Sequence, residues 1–120
     1  MRVIITGAAG EIGTPMVEEL SASHELCLMD RLPVPGRRLL ITNLSTGHSR
    51  MHWRGWLEAT RSPRWLELFN GADVVLHFPV DQTLTVPERQ LLFSNMQTTL
   101  NVIEAAARHR VPRVVFASSN

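Results

Sequence analysis

Arg2-Val3-Ile4-Ile5-Thr6 runs without a break into Gly7-Ala8-Ala9-Gly10-Glu11-Ile12-Gly13. The first five residues form an apolar, β-branched run centred on Val3, Ile4 and Ile5, as a strand covered on both faces requires. The next seven carry glycines at G-x-x-G-x-x-G spacing, and Ile12, Met16, Val17 and Leu20 then share one face of a helix predicted over Glu11 to Ser21. Strand, glycine-rich turn and helix in that order bring a dinucleotide pyrophosphate onto a helix N-terminus. Gly7 allows the tight turn, Gly10 lets backbone amides approach the pyrophosphate, and Gly13 lets the helix pack closely on the sheet. The next apolar run, Leu26 to Asp30, ends on a carboxylate at about the distance where this motif places its ribose ligand. Asp30 can accept from ribose hydroxyls and would repel a 2′-phosphate, which favours NAD over NADP. Arg31 beside it works the other way, because an arginine can hold the extra phosphate.

Outward from this start, three further apolar runs read as strands: Leu39 to Ile41, Val74 to His77, and Arg113 to Ala117. The longest helix is predicted from Pro87 to His109, with Leu92, Met96, Leu100, Ile103 and Ala107 as its buried face. Val111-Pro112 stops it. Strands alternating with helices imply βαβ units, and right-handed crossovers order five parallel strands as 3-2-1-4-5. The expected fold class is α/β, a Rossmann-like doubly wound sheet, with residues 1–120 as one NAD(P)-binding domain. Ser45 to Asn70 is the least regular stretch and reads as an exposed loop plus an amphipathic helix near Trp65-Leu66-Glu67-Leu68-Phe69. Its interleaved arginines and tryptophans can stack on bases, yet packing against a second chain suits them better than nucleic acid.

With 120 residues the chain holds at most one ordinary domain, and at 44% hydrophobic and 19% charged it can build a core. A net charge of +1 gives no field for nucleic acid or an anionic membrane. No stretch approaches a bilayer span, and the N-terminus lacks a signal-peptide pattern, which together point to a cytoplasmic setting. The lone cysteine, Cys27, lies in an apolar run and reads as a buried thiol. His48 and His52 are four apart with no third ligand nearby, so no metal site is expected. The chain has no tyrosine, and all 12 of its Lys+Arg residues are arginine.

Thr6-Gly7-Ala8-Ala9-Gly10-Glu11-Ile12-Gly13, Gly71-Ala72-Asp73-Val74-Val75-Leu76-His77, Thr99 to Ala106 and Arg113 to Asn120 together resemble an extended short-chain dehydrogenase/reductase. More narrowly they resemble the NAD-dependent epimerase/dehydratase family. The resemblance implies hydride transfer at a carbon of a sugar or sugar nucleotide. It implies that Gly7, Gly10, Ile12, Gly13, Asp30 and Arg31 surround the dinucleotide, that Asn43 and Leu44 flank the adenine, that Leu76, His77 and Phe78 line the cofactor's middle, and that Asn95 lies below the nicotinamide half. Ser119 matches the catalytic serine, and Asn120 follows it into the substrate pocket. The Ser118-Ser119-Asn120 ending resembles a branch that includes uronate dehydrogenases.

Two departures stand out. Phe78-Pro79-Val80 is bulkier than the small residues the family has after the histidine, and Pro79 has no N–H to donate. The family's proton relay, a tyrosine and a lysine four residues later, is absent from these residues. The expectation is therefore the cofactor half of a longer enzyme. The residues alone leave open a non-catalytic dinucleotide-binding module, in which a homodimer covers the last strand's edge, or a remnant whose site has closed.

Overall fold

The computed structural model describes residues 1–32, 36, 39–43, 48–53, 56–59, 64–78 and 88–117. In chain order the elements are β1 (Arg2–Thr6), α1 (Gly13–Leu20), β2 (Glu25–Asp30), β3 (Leu39–Asn43), β4 (His48–Trp53), β5 (Trp56–Ala59), α2 (Arg64–Glu67), β6 (Val74–His77), α3 (Glu88–Arg108) and β7 (Arg113–Phe116). They form one sheet in the order β5-β4-β3-β2-β1-β6-β7. The five strands from β3 to β7 across β1 are parallel, and they reproduce the expected 3-2-1-4-5 order. Ile4 stands between Cys27 and Val75 at the centre of this register.

Alternation along β1 sends its side chains to opposite layers. Val3 and Ile5 pack with Ala8, Val17 and Leu28 beneath α1. Ile4 packs with Met29, Trp65, Phe69, Val75, Val102, Ala105 and Ala106 beneath α3 and the turn after α2. Helices on both faces follow from the handedness rule, because the chain steps one way from β1 to β2 and the other way from β6 to β7. Cys27 is half-buried against the second of these layers.

The structure corrects the sequence reading in two places. First, His48–Trp53 and Trp56–Ala59 are strands rather than loop. β4 runs antiparallel to β3 and β5 antiparallel to β4, with Trp53 opposite Trp56, so a hairpin extends the sheet. His48 and His52 stand about 13 Å apart along this strand, too far for one metal. Second, the α3 stripe predicted to be buried faces outward: Leu92, Met96, Leu100 and Ile103 are 61%, 57%, 57% and 44% exposed. The helix seats instead through Thr98, Val102, Ala105 and Ala106, all buried. Small side chains let a helix axis approach a sheet closely, and a pattern that ranks residues by hydrophobicity favours the larger ones. The end of α3 is also set by more than Val111-Pro112. Arg110 adopts a left-handed φ of 55°, while Val111 N–H donates to the Ala106 carbonyl and Arg110 N–H to that of Ala107. Among the described residues, no helix is long and apolar enough to cross a membrane.

Candidate functional site

The carboxyl ends of β1, β2 and β6 meet where the strand order reverses, which is where open α/β sheets bind ligands. Gly7 leaves β1 with φ of 74°, a conformation that a Cβ disfavours. Its N–H and that of Ala8 both donate to the Met29 carbonyl, at 2.9 and 3.2 Å, so the turn is stitched to β2. The Asp30 carboxylate continues the stitch. One oxygen accepts from Ala9 N–H at 2.9 Å and the other from Leu32 N–H at 3.1 Å. Each oxygen keeps a free lone pair, so Asp30 can hold the turn and still accept from a ligand hydroxyl.

Gly13 has no room for a side chain: a Cβ there would lie 2.1 Å from the Gly7 carbonyl oxygen and 2.8 Å from Ala8 Cα. The close approach is therefore between the start of α1 and the turn itself rather than between helix and strand. At Gly10 a Cβ would meet the Gly7 oxygen at 3.3 Å. No side chain caps α1, and its first turn carries no acidic residue. Glu11 is exposed. Thr14 and Met16 N–H already donate to the Gly10 and Ile12 carbonyls and Pro15 has no N–H, so the amides this edge can offer an anionic group are those of Glu11, Ile12 and Gly13, and these fit a dinucleotide pyrophosphate.

Along β6 the side chains divide between the two faces. Leu76 and Phe78 pack toward α1, against the layer of Val3 and Ile5. His77 points the other way and is 5% exposed. Its Nδ1 lies 2.8 Å from Thr6 Oγ1 and its Nε2 3.1 Å from Thr99 Oγ1, both hydrogen bonds. Burial strips water from the charged ring and lowers the His77 pKa from 6.5 to about 4.

Among the sequence-predicted site residues, Gly7, Gly10, Ile12, Gly13 and Asp30 come together around the turn. Ile12 is the half-exposed N-cap of α1, and Arg31 is exposed beside Asp30. Asn43 ends β3 opposite His48. Asn95 is half-buried on α3, one turn before Thr99. Leu44, Pro79, Ser119 and Asn120 lie outside the described residues. Sequence reasoning passed over Thr6 and Thr99. The available signal at Thr6 was a hydroxyl closing an otherwise apolar strand; at Thr99 there was only a Thr-Thr pair on a mixed helix.

A sequence model of the NAD dependent epimerase/dehydratase family matches residues 3–120. The L-arabinose 1-dehydrogenase (NAD(P)(+)) of Haloferax volcanii is 28% identical over 119 residues, covering 99% of this chain and 41% of that protein. A uronate dehydrogenase of Pseudomonas syringae pv. tomato is 32% identical over 123 residues, covering 99% and 40%. The chain thus spans about 40% of the length of these relatives. Among solved structures, a mutated uronate dehydrogenase superposes with a TM-score of 0.71 at 27% identity, over 99% of this chain and 39% of that one. MoeE5 in complex with UDP-glucose and NAD superposes with a TM-score of 0.72 at 26% identity, over 100% and 37%. With this match over nearly its whole length, on a doubly wound sheet carrying the glycine turn, the chain belongs to the NAD dependent epimerase/dehydratase family.

Proposed function

We propose that these residues are the cofactor-binding part of an NAD-dependent oxidoreductase acting on a sugar or sugar nucleotide. The observation that supports this reading is the hydrogen bond from Ala9 N–H to the Asp30 carboxylate, which ties that carboxylate to the glycine turn. The turn and the start of α1 hold the pyrophosphate, and Asp30 takes the ribose hydroxyls and selects NAD over NADP. Asn43 and Leu44 flank the adenine, Leu76, His77 and Phe78 border the cofactor's middle, and Asn95 stands below its nicotinamide half. Ser119 hydrogen-bonds the reacting oxygen, and Asn120 faces the substrate. When bound, the cofactor exchanges a hydride with a sugar carbon. These 120 residues contain neither tyrosine nor lysine, so their part is binding and orientation rather than the proton relay.

Titration calorimetry with NAD and NADP on the chain and on Gly10→Val tests the reading. NAD binds the parent chain, NADP binds about tenfold more weakly or worse, and Gly10→Val loses binding while keeping its circular dichroism. Unchanged NAD affinity in a folded Gly10→Val would remove the glycine turn from the site.

A further inference from the structure

Thr6, His77 and Thr99 come from three elements and are 71 and 22 positions apart in sequence, yet their polar atoms form one chain of hydrogen bonds, buried at Thr6 and part-buried at Thr99. A neutral imidazole has one N–H donor and one bare acceptor nitrogen. Whichever tautomer is present, one threonine hydroxyl therefore donates to the ring and the other accepts from it. Both ring nitrogens are satisfied, which removes the cost of burying them.

The place of this chain matters more than its energy. Among the described side chains, the apolar residues that seat α3 on the sheet are Val102, Ala105 and Ala106. In the first half, Leu92, Phe93 and Met96 are exposed. A side-chain hydrogen bond between Thr99 and His77 ties the middle of the helix to the sheet. Its far end is Thr6, the residue directly before Gly7, and Asn95 stands one helical turn before Thr99.

We propose that His77 is a positioning residue: bridged between Thr6 and Thr99, its ring fixes the middle of α3 against the end of β1 and so sets where Asn95 stands relative to the glycine turn. The consequence for binding rests on the cofactor reading above; the mechanical link does not.

The test compares Thr99→Val, which removes the hydroxyl and keeps the shape, with Thr99→Ser, which keeps the hydroxyl. Calorimetry with NAD and amide hydrogen exchange are run on the full chain well below its unfolding midpoint. Thr99→Val weakens NAD binding about fivefold or more and speeds exchange of the amides from Asn95 to Thr99 about tenfold, whereas Thr99→Ser matches the parent. If Thr99→Val does not fold, Thr6→Val breaks the same link from its other end, with the same expectation. Faster exchange with unchanged NAD affinity would reduce the bridge to a structural fastener and overturn the proposal, as would parent-like exchange. A parent chain that binds no NAD defeats the cofactor reading instead, and the exchange measurement alone then decides the mechanical link.

Discussion

Gly13 and His77 show two ways a single residue sets the site. A methyl at Gly13 would collide with backbone on the Gly7 turn, which cannot step aside as a flexible side chain does. Gly13→Ala should therefore destabilise the fold by about 2–3 kcal/mol, read as a lower urea midpoint at an unchanged slope. Asp30→Ala should cost about 1–3 kcal/mol, because the part-buried Ala9 N–H loses its partner, and it should weaken NAD binding more than NADP binding. His77 links stability to pH. Its folded pKa of about 4 lies below the 6.5 of an ordinary histidine, so the folded state favours the neutral ring. As pH falls, the unfolded chain takes up the proton first. The contribution is complete above pH 6.5, is lost progressively down to about pH 4, and amounts to about 3 kcal/mol. Urea denaturation between pH 7 and about pH 4.5 should show this decline, and His77→Gln should flatten it.

At the scale of elements, α3 is the informative case. Its two apolar sides differ in residue size, and the side of small residues lies on the sheet. Leu100→Ala should therefore change the stability of this chain by no more than about 0.5 kcal/mol, while Val102→Ala, in the core, should cost about 2 kcal/mol. Equal losses in urea denaturation would mean that the outward stripe is covered in solution. The end of the same helix carries a left-handed arginine. Arg110→Gly relieves that conformation and should raise stability by about 1 kcal/mol, visible as a higher melting temperature. The β4–β5 hairpin was hidden for a different reason. His48 to Trp53 lacks the alternating β-branched residues that mark a strand. There the backbone pairing supplied by β3 outweighs a weak local preference.

For the whole molecule, the parallel core and its functional edge follow from local chemistry. β1 is apolar at Val3, Ile4 and Ile5 because both of its faces are covered, and the glycine turn follows it because backbone must pass close to backbone. Such demands act within a few residues, so they are written in the order of the chain. Arg2 to Gly13 therefore announced the parallel sheet and its glycine turn. Two other features were not local. The face that α3 presents depends on which side chains let it approach strands as distant in the chain as β1. The Thr6–His77–Thr99 bridge depends on β1, β6 and α3 meeting at one edge. A hydroxyl on a strand and a hydroxyl on a helix carry no mark of a shared partner. Sequence by itself determined the fold class and the turn, because periodicity and glycine spacing are properties of neighbours. Only the tertiary structure decided the seating of α3, the added hairpin and the partners of His77, because each of these is a contact between segments whose separation along the chain leaves no periodic trace.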